Sequence, residues 1–245
     1  MVMTVLRVNS VSEKFMNWKL SPSDLVFLYE ECPRCFYLKV RGLENRPKTQ
    51  MPKIFTTIDA QMKSFLRGQR TDGLAIGMPK GTFRYAERWV ESAPIAIPGR
   101  ISSCYFRGRF DNILELDTGG HALADLKTCH RRDEHVPLYA RQLHAYTWCL
   151  EHPSPGALHL SPIERMGLLV FEPDFFLKLP FWSGALSGGL HWIEIRRDDN
   201  SFLDFIAELV CLLDRPTAPD PAFDCPWCRY RSLPVWVGPE LPRIQ

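Results

Sequence analysis

Two Cys-Pro-x-Cys tetrapeptides, Cys32-Pro33-Arg34-Cys35 and Cys225-Pro226-Trp227-Cys228, lie far apart in this 245-residue chain. No other feature of the sequence constrains the fold as strongly. Cys35 and Cys225 are 190 residues apart (225 minus 35), so a fold that unites the pairs closes most of the chain into a loop. Four thiolates are the number that a tetrahedral zinc ion or an iron-sulfur cube takes from a protein. The shared form, with aromatic residues close by, favours one joint centre over two unrelated pairs. Cys104, Cys129, Cys149 and Cys211 are scattered among apolar neighbours and read as ordinary buried thiols. Metal-type spacing rather than a disulfide framework predicts a cytoplasmic protein. No run of about 18 apolar residues exists to cross a bilayer, and Met1–Ser10 lacks the features of a signal peptide, so no membrane partner is expected.

With 45% hydrophobic and 24% charged residues, the chain can bury a sizeable core. A formal charge of +2 does not by itself announce a nucleic-acid partner, but it leaves room for a local basic groove. Ser21-Pro22-Ser23-Asp24 has the polar residues and early proline of a helix start, and Leu25, Leu28 and Phe36 follow at helical spacing. The first cysteine pair therefore falls on or just after a helix. Ile54, Phe55, Ile58, Met62, Phe65 and Leu66 mark a second helix. Residues 68–99 are rich in Gly and Pro, with weak strand signals. The stretch 101–116 is β-branched and aromatic, Asp117-Thr118-Gly119-Gly120 supplies a turn, and 122–128 makes a second strand, which together read as a β-hairpin. A helix over 134–151 stops at His152-Pro153-Ser154-Pro155-Gly156. Strands over 165–171 and 190–196 and a helix over 200–214 follow, before a Pro-rich linker, 216–221, into the second cysteine pair. This order predicts an α/β fold, a mixed central sheet flanked by helices, with residues 1–245 forming one domain.

On a strand of period two, Asp125 and Lys127 of Asp125-Leu126-Lys127 leave the same face. Alone, such a tripeptide is commonly a salt-bridged strand edge. If the turn closes at 117–120, however, Asp111 falls opposite Asp125 to within about one register step, so two carboxylates can share one cation. Mg2+ or Mn2+ prefers such oxygen ligands, completed by water and the Leu126 carbonyl. This set suits hydrolysis of a phosphodiester: a metal polarises the phosphate and acidifies bound water, while Lys127 orients that water or meets developing charge. The site is expected to be solvated and to lie outside the apolar core.

Three segments in order, Gly108-Arg109-Phe110-Asp111, Asp125-Leu126-Lys127-Thr128 and Gln142-Leu143-His144-Ala145-Tyr146, resemble the consecutive motifs of RecB-like nucleases in the PD-(D/E)XK superfamily. Cys32-Pro33-Arg34-Cys35-Phe36-Tyr37-Leu38 resembles the opening motif of that family's cysteine-bearing members, the CRISPR-associated exonucleases and AddB-type nucleases. The resemblance implies a restriction-endonuclease-like core and a metal-dependent, exonuclease-like deoxyribonuclease. Its partner would be DNA with single-stranded or free ends, in repair, recombination, or phage- or CRISPR-related processing. Asp111 and Asp125 would bind the catalytic metal and Lys127 would be catalytic. Gln142 and Tyr146, four residues apart and so on one helix face, would lie beside the site and engage the nucleic acid. The resemblance also implies a 4Fe-4S cluster on Cys32, Cys35, Cys225 and Cys228, whereas the paired spacing suits Zn2+; the family's usual split is one cysteine and three, and here it is two and two. The family takes a further metal ligand from the helix before the hairpin, where Asp59 is the best-placed acid. Without catalysis, the same fold would serve as a nucleic-acid-binding module.

Outside these motifs, His130, Arg131 and Arg132 follow the lysine strand and are placed to meet phosphates at the mouth of the site. Trp227, Arg229 and Arg231 offer stacking and charge near the second cysteine pair, although Trp227 could equally shield the cysteines. Glu115 is an acid of the hairpin expected to lie beyond the metal's reach.

Overall fold

The structure, a computed structural model, describes residues 15–47, 52–129 and 136–232. His130, Arg131 and Arg132 lie outside these residues. Strand β1 (Asn17–Leu20) leads into a short helix α1 (Pro22–Asp24), which runs on as a π-helical turn over Leu25–Tyr29, and then α2 (Pro33–Val40). Pro22 and Pro33 open their helices, a position where the missing N–H has no intrahelical partner to lose. Helix α3 (Lys53–Leu66) follows, then β2 (Gly81–Ala86), β3 (Trp89–Glu91), β4 (Ile95–Ala96), β5 (Ser103–Arg109), β6 (Asn112–Leu116) and β7 (His121–Thr128). Helix α4 (Val136–Glu151), β8 (Ile163–Leu179), β9 (Ser183–Glu194), α5 (Asp199–Leu213) and α6 (Pro226–Ser232) complete the described chain. The Asp198 carboxylate starts α5 by accepting the Ser201 N–H at 3.0 Å.

Two mixed sheets result. One is five-stranded in the order β2-β6-β7-β8-β9, and in the other β5 pairs with β1, β3 and β4. Only β7–β8 and β1–β5 are parallel. The expected first hairpin strand, 101–116, is therefore two strands in different sheets, parted at Phe110 and Asp111. Burial alternates along β5 but is continuous over Asn112, Ile113 and Leu114 of β6. β5 is covered on one face and β6 on both, in keeping with their places in different sheets. Residues 68–99, with their weak signals, contribute three short strands, β2, β3 and β4.

The five-stranded sheet is the wall on which the site is built. Leu123, Ile113, Leu168 and Val170 pack into the larger apolar cluster with α2, α4 and α5. Ala122, Ala124 and Leu126 pack with Leu66 of α3, Phe83, Leu114 and Leu169 in a second cluster. Alternate residues of β7 thus report to different helices, as a pleated strand requires. Among the described residues, no helix is long and apolar enough to cross a membrane.

Candidate functional site

The hairpin of β6 and β7 closes through the expected turn, with Leu116 N–H donating to Gly120 O at 2.8 Å. It pairs Asn112 with Ala124, a register that brings Asp111 level with Asp125. Asp111 Oδ2 accepts the Leu126 N–H at 3.0 Å, which fixes this carboxylate against the opposite strand. On β7, Lys127 Nζ lies 2.5 Å from Asp125 Oδ2.

This pair is drier than the sequence implied. Asp125 is 3% exposed, which corrects the expectation of a solvated site. The cause is α4, which lays Gln142 and Tyr139 over the strand. Gln142 Nε2 stands 3.5 Å from Asp125 Oδ1, long for a hydrogen bond, and Lys127 Nζ sits 4.7 Å from the centre of the Tyr139 ring. Burial pushes the Asp125 carboxyl up to about 6; Lys127 opposes that rise and the Asp111 charge adds to it. Burial, the largest influence, works to lower the Lys127 pKa, but the charge and hydrogen bond of Asp125 together with the Asp111 charge leave it raised. A cavity of about 490 Å³ opens beside Lys127, Leu126, Tyr139, Asp59, Phe27 and Phe55.

Asp59 reaches this region through an intermediary. It pairs with Lys63 one turn along α3 at 2.8 Å, and Lys63 Nζ also meets Asp111 Oδ1 at 2.9 Å and Glu87 Oε1 at 3.3 Å. Each motif carboxylate therefore faces an ammonium group. Asp59, Asp111 and Asp125 do not gather their oxygens into one group: among the described residues, only the four cysteines converge as three or more metal-type ligands. Sequence reasoning missed Lys63, Glu87 and Tyr139. The Asp59–Lys63 spacing of four residues was an available signal, whereas nothing local marked Glu87.

Gln142 and Tyr146 share one face of α4 as expected, but they do different things. Tyr146 OH donates to the Arg109 carbonyl at 2.9 Å, and its ring lies against Gly108, where an added Cβ would come within 2.9 Å of Tyr146 and 2.8 Å of Pro22. The motif glycine is thus the clearance that lets Tyr146 brace the chain just before Asp111. Tyr146 also borders a cleft of about 560 Å³ lined by Lys19, Arg107, Arg109 and Trp89. Glu115 lies opposite His121 at the other end of the hairpin and pairs with Arg84 at 3.7 Å, away from Asp111 as expected.

At the second site, the two distant cysteine pairs meet. Sγ–Sγ distances are 3.8 Å for Cys32–Cys228, 3.7 Å for Cys35–Cys225 and 3.6 Å for Cys35–Cys228, and all four sulfurs lie within 4.8 Å of one another. A tetrahedron with metal–sulfur bonds of about 2.3 Å has edges of about 3.8 Å, so the four sulfurs fit the ligand shell of one ion. A cube interposes an iron between each thiolate and its centre and holds the thiolates farther apart. Arg46 Nη2 points at Cys225 Sγ at 3.6 Å and Arg231 Nη1 at Cys35 Sγ at 3.8 Å, and the Ala222 N–H lies 3.5 Å from Cys32 Sγ. These donors offset the charge of gathered thiolates. Burial opposes ionisation of Cys225, yet the Cys228 N–H and the neighbouring thiols bring its pKa down to about 7. Trp227 packs against the larger core, in keeping with the shielding reading, and Arg231 serves the cysteines.

No known protein family and no curated protein matches the sequence. Among solved structures, the crystal structure of SSO0001 is similar, with a TM-score of 0.46 and 18% identity over 79% of this chain and 76% of that chain. The chain is an α/β protein with a four-cysteine site able to hold a metal such as Zn2+ or an iron-sulfur cluster.

Proposed function

We propose that this chain is a metal-dependent nuclease of the PD-(D/E)XK type, with a restriction-endonuclease-like core in a single domain, hydrolysing DNA phosphodiester bonds in an exonuclease-like manner. The observation that carries this reading is the β6–β7 register, which sets Asp111, locked by the Leu126 N–H at 3.0 Å, beside buried Asp125 and its half-buried partner Lys127. Two carboxylates and the Leu126 carbonyl are the hard oxygen donors that Mg2+ or Mn2+ takes, and Lys63 and Lys127 would have to yield Asp111 and Asp125 for these to gather round one ion. When bound, such an ion supplies charge stabilisation and an acidified water. Lys127 is held by Asp125 and the Tyr139 face, at a cavity wall where it can orient that water or meet charge on a phosphate. Gln142 positions Asp125, and Tyr146 positions the segment that ends in Asp111. Lys19, Arg107 and Arg109 along the adjoining cleft offer phosphate contacts, and Trp89 a stacking surface.

The test incubates purified protein with end-labelled linear and with circular DNA, with and without Mg2+ or Mn2+. Metal-dependent loss of the linear substrate, abolished by Asp125→Asn, is the expected outcome. The ammonium groups facing both carboxylates favour a second reading, a non-catalytic nucleic-acid-binding module; retention of DNA without cleavage under every metal condition would establish it instead. At the cysteine site, the sulfur spacing and paired motifs support Zn2+ over the 4Fe-4S cluster. Stoichiometric zinc in a colourless preparation is expected, and a brown protein after anaerobic purification would reverse the assignment.

A further inference from the structure

We propose that residues 173–189 form a dimerisation arm, through which two copies of this chain pair β9 with β9 about a two-fold axis. The parallel partner of β8 ends at the Thr128–Phe171 pair, but β8 and β9 continue together from Glu172–Gly189 to Leu179–Ser183. Past Phe171 they are a two-stranded ribbon beyond the sheet, a structure that is marginal in water without further packing.

The surface of the ribbon is apolar. Phe175, Phe176, Leu177, Leu179 and Leu186 are between 41% and 72% exposed, and Phe181 and Trp182 at the tip are 96% and 103% exposed. Both tip residues have positive φ, 58° and 61°, in a turn where Asn and Gly are the unstrained choices. Bulky aromatic residues held in strain and left in water gain nothing within one copy.

The two edges of the five-stranded sheet differ. β2, at one edge, is interrupted by a bulge between Phe83 and Tyr85, carries Arg84, and is bridged by Arg70. These devices blunt an edge against pairing. β9, at the other edge, has no charged residue and no proline from Ser183 to Leu190, and among the described residues its pairing with β8 leaves one row of N–H and C=O groups facing outward.

A second copy of β9 satisfies that row. Antiparallel self-pairing brings no like charges together in this stretch, and a two-fold axis uses both edges and closes the assembly. The exposed apolar side chains of the arm, at about 150–250 Å² each when fully exposed, offer at most on the order of 900 Å² per copy, and about 800 Å² per partner is what a stable interface takes. Nucleic acid is disfavoured, because Asp174 and Lys178 leave the arm with no net charge and no basic surface to meet phosphates. A lipid surface could cover the rings but would leave the edge N–H groups unpaired.

The full chain is examined by sedimentation equilibrium from about 0.1 to 100 µM, with amide hydrogen exchange at both extremes, a range that spans typical protein association constants. The expected result is a monomer–dimer equilibrium in which the amides of residues 183–189 become protected as dimer forms. Ala185→Lys/Ser187→Lys sets like charges across the new pair and should raise the dimer Kd by about 100-fold or more. Phe181→Asn/Trp182→Gly gives the turn its preferred residues, so the ribbon stays folded while losing its apolar tip, and should weaken the dimer by about tenfold or more. A monomer at 100 µM, whether or not it co-sediments with phosphatidylcholine vesicles, overturns the proposal. So does a dimer whose Kd neither double variant changes, or whose 183–189 amides exchange equally fast at both concentrations.

Discussion

Cys225→Ser removes one ligand from a centre that joins residues 190 positions apart. In the chain-entropy treatment of cross-links, closing a loop of that length removes about 5 kcal/mol of conformational freedom from the unfolded state. A protein of this size has about 5–15 kcal/mol of total stability, so this link is a large fraction of it. Other contacts hold α2 to the segment after α5, namely Tyr37 OH to Arg215 O at 2.7 Å and Arg34 Nη1 to Pro219 O at 3.0 Å, so the core keeps its shape in the variant. α6, in contrast, has no fully buried residue, and besides the cysteines it is held by Trp227 against the core and by Arg231 on Glu44 and Asn45. The variant should therefore lose bound metal, expose α6 to protease, and unfold in urea with about 5 kcal/mol less stability, equivalent to a Tm lower by about 10–20 °C. Urea curves followed by tryptophan fluorescence, with metal content measured on the same samples, provide the check. Coincident curves to within about 1 kcal/mol, with metal lost, would show that the centre does not staple the fold.

Lys127→Met leaves Asp125 buried without its counter-charge and should cost about 3–5 kcal/mol by urea unfolding, whereas Asp125→Leu/Lys127→Met together should be close to neutral; equal losses in the two variants would contradict the burial of the pair. Gly108→Ala drives a methyl group into Pro22 and Tyr146 and should cost about 1–3 kcal/mol, with cleavage falling further than after Tyr146→Phe, which loses the hydroxyl's bonds to Arg109 O and Gln142 but keeps the ring. His144 is buried and neutral, with Nδ1 bonded to Ala140 O at 2.7 Å and Nε2 accepting the Asp198 N–H at 2.8 Å, and burial holds its pKa below the ordinary value of about 6.5. Below about pH 6.5 the unfolded chain takes up a proton that the folded chain refuses, so stability falls with pH until the folded pKa is passed; the gain in urea midpoint of His144→Gln over the parent protein should grow as pH falls from 7.5 to 5.5, and a difference that does not change with pH would refute this.

The parts of the fold legible in the sequence are those encoded locally. α3 and α5 follow from apolar spacing, and the Asp117–Gly120 turn from its residues, so Asp111, Asp125 and Lys127 could be placed together in advance. The cysteine pairs were legible because repeated spacing survives any separation along the chain. The division of 101–116 into β5 and β6 was not, because either half alone has a strand's composition and only the two sheets decide where it breaks. The length of β8 and β9 was hidden by Pro173 and by Gly184, Gly188 and Gly189, residues that read as loop until each strand supplies the other's hydrogen bonds. Lys63 escaped notice because its partners Asp111 and Glu87 lie in the β5–β6 and β2–β3 connections, brought to α3 only by folding.

The cysteine centre also determines how the molecule would bear load. With a metal bound, a pull applied at residues 32 and 228 would pass from one cysteine pair to the other through the metal–sulfur bonds, by-passing every strand between them. Both sheets and the acid pair would stay slack until those bonds ruptured, so the force at first yield would report on the ion and not on the hydrophobic core.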